Sequence, residues 1–418
     1  MELNESVEIV VGRDFEDAKK YGKACTLYIG KHLVGVGEDA HLTTPLLLDA
    51  LRPHVIIICG KRGSGKSYSM GVFVEELLKL EDEYKRNLCA IVVDTQGIFW
   101  TMKSPSKDLA SLQEWGLRPS GFDVKVYVPE GQRAIFESAG VSFDGVFSVR
   151  PSELTYGDWL ATFNIEMRSM LGVLFQRALE KVGKNFEVKD LVSALNEMEG
   201  FETEKAVLIN YLHASEGWGI FGTTGMPKLL VPGKVSILDV SLTPQEVRTL
   251  LVALLARKVF QERTMARRME ELAAMGGERI ERIPMAWIFI DEAHNFIPCD
   301  GEPASLAPLL KIVREGRQPG ITLVLATQQP NKLHLDALAQ CDLLVAHRLT
   351  AEADIKALKS IMQTYIEFDI TRYMEELPRV KGVALILDDN SERLYKVRIR
   401  PRQSWHAGAS PVAASTMV

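Results

Sequence analysis

The sequence predicts an α/β fold: a mostly parallel sheet covered by helices, with a helical insertion and a small β-rich segment at its start. Three observations carry this. Short continuous apolar runs recur along the chain, as strands buried on both faces require. Stretches with helical spacing of apolar residues lie between them. A glycine-rich loop joins the first run to the first such helix.

Residues 1–50 hold three short strand candidates, VEIVVG (7–12), TLYIG (26–30) and HLVGVG (32–37), punctuated by glycine. VIIIC (55–59) opens the core, and after the glycine loop Met70, Phe73, Val74, Leu77 and Leu78 recur at helical spacing. Further strands are read at LCAIVV (88–93), VKVYV (124–128), VSILDV (235–240), AWIFI (286–290), ITLVLA (321–326) and LLVA (343–346). Val247, Leu250, Leu251, Leu254 and Leu255, then Leu306, Leu309, Leu310 and Val313, are core-facing helix stripes. Residues 141–228 break the alternation; YGDWLATFNIEMRSMLGVLFQRALEKV (156–182) reads as helix. The expected organisation is therefore a β-rich segment 1–50, a core in two parts (51–140 and 229–400), an insertion 141–228, and a disordered tail 401–418.

Composition narrows the function. Hydrophobic residues are 46% and charged residues 25%, ordinary for a globular chain and incompatible with disorder throughout. No apolar run reaches 18 residues and the acidic N-terminus lacks a signal-peptide core, so a cytoplasmic protein without a membrane span is expected. The five cysteines are scattered and form no C-x-x-C, suggesting neither a zinc site nor a disulfide framework. A net charge of −6 argues against a nucleic-acid coat, though not against a grip through a few loops inside a ring.

Gly60-Lys61-Arg62-Gly63-Ser64-Gly65-Lys66-Ser67 fits G-x-x-x-x-G-K-[ST] between a buried strand and an amphipathic helix. The glycines let successive N–H groups curl around phosphates, assisted by the helix N-terminus. Lys66 is expected to reach the β- and γ-phosphates of ATP, with the Ser67 hydroxyl on Mg²⁺. The expected nucleotide-binding set runs from Gly60 through Ser67 and one residue on to Tyr68. A dinucleotide site is excluded because G-x-G-x-x-G is absent.

The run Trp287-Ile288-Phe289-Ile290 ends in Asp291-Glu292. Asp291 suits Mg²⁺, directly or one step removed, and Glu292 suits deprotonation of an attacking water. About 225 residues separate Lys66 from Asp291, long for one core, and the helical insertion absorbs the excess. The next strand ends in Thr327-Gln328-Gln329-Pro330, placing an amide where it can contact the γ-phosphate or its water. Arg314 and Arg317 lie between these strands and are expected near the sheet's C-terminal edge. In a ring such an arginine can point into a neighbour's site, and Arg317 is the favoured finger. DEAH (291–294) invites a two-core helicase. The roughly 125 residues after His294 cannot hold a second core, so His294 is read as structural or linking.

These segments together resemble the HerA-type ATPases of the HerA/FtsK superfamily. The residues that carry the likeness are HVIIICGKRGSGKS (54–67), VVDTQGIFW (92–100), PGKVSILDVS (232–241), WIFIDEAHNFIP (287–298), REGRQPGITLVLATQQP (314–330) and CDLLVAHRLTAEAD (341–354). The resemblance implies a RecA-like P-loop NTPase core, a hexamer, and ATP-driven pumping of double-stranded DNA through a channel. It implies Glu292 as catalytic carboxylate, Gln328 as γ-phosphate sensor and Arg317 as a finger acting in trans. Asp94 matches the family's acidic position, and Arg52 a frequent basic one. HerA proteins begin with a β-barrel that docks a nuclease, whereas about 50 residues precede the phosphate-loop strand here; the resemblance therefore implies a reduced or missing barrel and puts the nuclease partner in doubt.

Two functions share every motif: a DNA translocase, and a regulatory ring whose ATP state assembles or gates an effector. A small-molecule kinase is disfavoured by Glu292, Gln328 and Arg317. Candidate channel loops are Trp100-Thr101-Met102-Lys103 and Gln329-Pro330-Asn331-Lys332.

Overall fold

The computed structural model describes residues 8–35, 39–277, 282–362, 370–378 and 380–408. Thirteen strands of these residues form one sheet: β1 (Ile9–Val11), β2 (Thr26–Val34), β3 (His41–Asp49), β4 (Val55–Cys59), β5 (Leu88–Asp94), β6 (Val124–Pro129), β7 (Gly145–Phe147), β8 (Val235–Asp239), β9 (Met285–Ile290), β10 (Ile321–Thr327), β11 (Leu343–His347), β12 (Val383–Asp388) and β13 (Arg393–Ile399). Their order is β1-β3-β2-β13-β12-β11-β4-β10-β9-β5-β8-β6-β7. From β11 to β7 every pairing is parallel. The pairings joining β3, β2, β13, β12 and β11 are antiparallel.

Strand pleat explains the apolar runs. On β4, Ile56 and Ile58 face one core with Met70, Phe73, Val74 and Leu77 of the helix Lys66–Lys79. Ile57 and Cys59 face the other core, with Val247, Leu250 and Leu251 of the helix Gln245–Ala274 and Leu309 of the helix Leu306–Glu315. On β9, Trp287 and Phe289 go one way, and Ala286, Ile288 and Ile290 the other. Both faces are covered, so neither alternate set of positions can be polar.

The opening segment differs from expectation. TLYIG and the HLV of the next candidate (32–34) belong to one strand, β2, with register shifts near Gly30 and Leu33. Gly30 is an approach point and not a turn: a Cβ there would lie 2.3 Å from the Arg398 carbonyl of β13. Through that contact the first strands extend the central sheet. Residues 36–37 of the HLVGVG reading lie outside the described residues.

Residues 156–182 are two helices, Tyr156–Phe163 and Met170–Val182. Asn164 ends the first at φ 52°, and the Ser169 side chain caps the second by accepting from Gly172 N. Helices Val188–Asn196 and Glu202–Glu216 follow. Trp159, fully buried against Phe163, Phe175 and Phe221, packs this group. Arg257 ties it to the long helix through two bonds to Asp158, 2.6 and 2.7 Å.

The tail expected from 401 is ordered over residues 401–408, whereas 409–418 lie outside the described residues. Residues 400–405 form a strap across the helix that follows the phosphate loop. Arg400 donates to Glu75 (2.8 Å) and Glu76 (2.6 Å), all three buried. Ser404 N and Oγ and Gln403 N also donate to Glu75. Two helix carboxylates beneath it, and not its own sequence pattern, order the strap.

Candidate active site

The phosphate loop leaves the C-terminal end of β4, in the middle of the parallel strands. Gly65 takes φ 116° and starts the helix Lys66–Lys79, whose N-terminus has no side-chain cap, so its first N–H groups face outward for an anion. A Cβ on Gly60 would sit 2.5 Å from Ser64 Oγ and 2.6 Å from His347 Cβ. His347 backs the loop: it is fully buried, its Nδ1 lies 3.1 Å from the Val383 carbonyl, and its Nε2 lies 2.9 Å from Ser69 Oγ. Burial pushes the ring down to about 4. It is therefore neutral, donating to the carbonyl and accepting from Ser69.

Lys66 is buried, its Nζ donating to the Lys61 carbonyl at 3.3 Å. Burial pushes it below the ordinary lysine range, while Asp291 and Glu292 pull it back up. Ser67 Oγ donates to Asp291 Oδ2 at 2.6 Å. Burial raises the Asp291 carboxyl against this hydrogen bond, which lowers it.

Strand order assembles the rest. β9 runs between β10 and β5, so Glu292 sits between the tips of both. Glu292 Oε1 accepts from the Gln328 amide and from Gln96 Nε2, the latter at 3.2 Å. Glu292 Oε2 is buried with no hydrogen-bond partner, and so is Ser64 Oγ in the loop. Glu292 has φ 51°, a left-handed conformation costing on the order of 1 kcal/mol in a non-glycine residue. His294 Nδ1 lies 3.1 Å from Thr327 Oγ1 and 3.6 Å from Glu292 Oε2, linking the two strand tips.

Lys66, Ser67, Asp291, Glu292 and Gln328 thus come together, and Gln96 joins them. Sequence reasoning quoted Gln96 within a motif without singling it out; its signal was an amide two residues past a strand end beside β9. His347 likewise stood inside a quoted segment, CDLLVAHRLTAEAD, without being singled out. Lys61, Arg62 and Gly63 are exposed on the loop.

Other expected residues lie elsewhere. Tyr68 turns toward the strap: its hydroxyl accepts from Arg402 N at 2.6 Å and its ring meets His406 edge-on. Asp94 is wrapped by its own loop, accepting from Gln96 N, Gly97 N and Phe99 N at 2.7–3.1 Å. Burial and the neighbouring Asp239 raise it to about 7. Arg52 pairs with Asp17. Lys103 pairs with Asp144 at 2.7 Å, and Thr101 and Met102 are buried. Lys332 is exposed on the turn after β10.

Arg314 and Arg317 require a correction. They precede β10, and a residue preceding a parallel strand stands at the N-terminal edge of the sheet, opposite the phosphate loop. Arg314 pairs with Asp336, and Arg317 with Asp342 at 3.1 Å, just before β11. The seven residues of β10 at about 3.3 Å each separate Arg317 from its own site by roughly 20 Å.

Residues 27–259, more than half of the chain, match the family described as Helicase HerA, central domain. The chain belongs to this family. Among curated HerA-family relatives, the DNA double-strand break repair helicase HerA of Sulfurisphaera tokodaii is 21% identical over 393 residues, covering 92% of this chain and 71% of that protein. The protein of the same description from Pyrococcus furiosus is 24% identical over 174 residues, 37% of this chain. The chain spans only about a third (32%) of that protein's length. Among solved structures, VirB4 of Thermoanaerobacter pseudethanolicus superposes with TM-score 0.59 at 13% identity, over 91% of this chain and 97% of that one. The plasmid coupling protein TrwB, in complex with the ATP analogue ADPNP, gives 0.52 at 14% identity, over 92% and 97%. These likenesses establish a RecA-like α/β fold. Among the described residues of this HerA-family chain, no helix is long and apolar enough to cross a membrane.

Proposed function

We propose that the chain is a ring-forming ATPase that hydrolyses Mg²⁺-ATP between subunits and uses the cycle to move on double-stranded DNA. The observation that carries the hydrolytic part is Glu292: one carboxylate oxygen is held by two amides, and the other is buried without a hydrogen-bond partner beside the phosphate loop. A buried acceptor with nothing to accept is costly unless a ligand or water fills the role. An attacking water donating to Oε2 would do so, and Glu292 would take its proton. Gln328 and Gln96 fix the carboxylate, and Gln328 stands where it can also sense a γ-phosphate. Lys66 binds the β- and γ-phosphates, and the N–H groups from Gly60 to Ser67 cradle them.

The residues present fit Mg²⁺. The Ser67 hydroxyl and a buried Asp291 carboxylate are already in contact, and they are oxygen donors suited to a hard cation. Mg²⁺ bound there supplies charge neutralisation of the transferring phosphate.

The DNA part rests on family membership and on position. Lys332 is exposed at the tip of β10, four residues past Gln328, whereas Lys103 is occupied by Asp144. The test is ATP turnover with and without duplex DNA at two salt concentrations. The expected result is stimulation that falls steeply with salt and is weakened in Lys332→Glu with the basal rate unchanged. Turnover indifferent to duplex at low salt would replace the translocase by a ring that gates a protein partner.

A further inference from the structure

At the N-terminal edge of the sheet an unbroken chain of charged side chains ends on Arg317. Arg13 Nε donates to Asp49 Oδ1 at 2.6 Å. Asp49 Oδ2 faces His54 Nε2 at 3.2 Å, and His54 Nδ1 faces Asp342 Oδ2 at 2.8 Å. Asp342 Oδ2 also accepts from Arg317 Nη2 at 3.1 Å, while its Oδ1 accepts from Val55 N at 2.8 Å. Side-chain exposure is 1% for Arg13, 0% for Asp49, 2% for His54 and 6% for Asp342, then jumps to 70% for Arg317. The arrangement is a buried chain carrying one exposed guanidinium.

Two features set it apart from an ordinary surface ion pair. Both ring nitrogens of His54 face carboxylate oxygens, which only accept, so the ring donates at both and is an imidazolium. Its two carboxylates are fixed in turn, Asp49 by Arg13 and by Arg52 N at 3.0 Å, Asp342 by Val55 N. Asp342 thus cannot follow Arg317, and Arg317 must follow Asp342. The bond to Arg317 is single, using one of five guanidinium N–H groups and leaving the outer edge open to solvent. A surface arginine would otherwise sample many rotamers, and a bidentate clamp would occupy it.

We propose that Asp342 is the positioning residue for Arg317, tethering it so that its open edge is presented to the γ-phosphate of ATP bound by a neighbouring copy of the chain, with His54 and Asp49 holding the tether in place. The inference rests on the intersubunit hydrolysis proposed above. It adds that the first fifty residues reach the neighbour's chemistry, because Arg13 and Asp49 anchor the chain.

Steady-state ATPase assays and subunit mixing test this. Asp342→Asn keeps the size of the side chain and removes its charge. It is expected to lower kcat about tenfold, as for a misplaced reacting group, with KM for ATP unchanged. Mixing Lys66→Ala with Arg317→Ala subunits should restore activity, since one supplies the finger and the other the loop. Asp342→Asn should fall in the finger group: restored by Lys66→Ala subunits, and not raised above the separate rates by Arg317→Ala subunits. A purely structural defect would damage the variant's own nucleotide site and show no such grouping. Should Asp342→Asn fail to assemble, His54→Gln replaces it in the same mixing with the same grouping expected. Parent kcat in Asp342→Asn, or recovery between Asp342→Asn and Arg317→Ala, overturns the positioning role alone. Failure of Lys66→Ala and Arg317→Ala to recover in assembled rings instead overturns the trans finger on which it rests.

Discussion

Removing Arg400 should destabilise the protein through the helix that carries the phosphate loop. Its guanidinium spans Glu75 and Glu76 at 2.8 and 2.6 Å, and its side chain is 0% exposed. Deleting one partner of a buried ion pair costs about 3–5 kcal/mol, because the other charge is left unpaired. The lower end applies here. Glu75 keeps the three bonds from Gln403 and Ser404, and Glu76 keeps Lys79 and Tyr28 N. Arg400→Ala should therefore cost about 3 kcal/mol. With an unfolding entropy of about 2 cal/mol/K per residue, that lowers Tm by roughly 3 °C for a chain of this size unfolding as one unit. Lys79→Ala is the control: Lys79 contacts the same Glu76 but is 37% exposed, so its loss should cost under about 1 kcal/mol. Differential scanning fluorimetry with and without ATP reads both. Because the strap grips the helix that begins at Lys66, the shift on adding ATP should also shrink in Arg400→Ala. Identical melting of Arg400→Ala and Lys79→Ala would refute the reasoning.

Two further expectations follow from the same physics. Burial alone would push His54 down, but the hydrogen-bonded carboxylates of Asp342 and Asp49 raise it to about 9, above its unfolded value near 6.5. Its contribution is full below pH 6.5 and is lost as pH rises through 9, on the order of 3 kcal/mol in all; the stability gap between parent and His54→Gln, read from urea midpoints, should close between pH 6.5 and 9.5, and a constant gap would contradict it. Gly60→Ala places a Cβ 2.5 Å from Ser64 Oγ and 2.6 Å from His347 Cβ; the loop must shift, and ATP affinity by calorimetry should fall at least tenfold, an unchanged Kd counting against the loop geometry.

The parallel part of the sheet was legible because burial on both faces forces uninterrupted apolar runs, as at Ile56–Cys59 and Trp287–Ile290. The chemistry at its C-terminal edge was legible for a related reason. Parallel strands bring their tips to one edge, so Ser67, Asp291, Glu292 and Gln328 had to meet whatever lay between them in sequence. The same rule, applied to the residues before a strand, places Arg314 and Arg317 at the opposite edge; reading them beside the phosphate loop missed the direction of β10. What resisted reading depends on partners far away in the chain. Arg402 and Ser404 sit in a small, polar, proline-interrupted stretch that resembles a tail. Arg402 and Ser404 of that stretch are buried because Glu75, more than 300 residues earlier, awaits them, as it does Arg400 just before it. His54 and Asp342 are likewise nearly 290 residues apart, and nothing local to either marks a charged chain. The break after Phe163 was visible only as Asn164 and Ser169, two capping residues inside an otherwise helical pattern.

The most direct test of the account is single-turnover hydrolysis by Glu292→Gln, with ATP affinity measured alongside. The amide keeps an oxygen and nearly the same shape but cannot take up a proton from water. The account predicts ATP and Mg²⁺ affinity within about threefold of the parent and a chemical step slowed by a hundredfold or more. Hydrolysis at the parent rate with affinity intact would contradict it, because the Glu292 oxygen that lacks a hydrogen-bond partner would then not be the base.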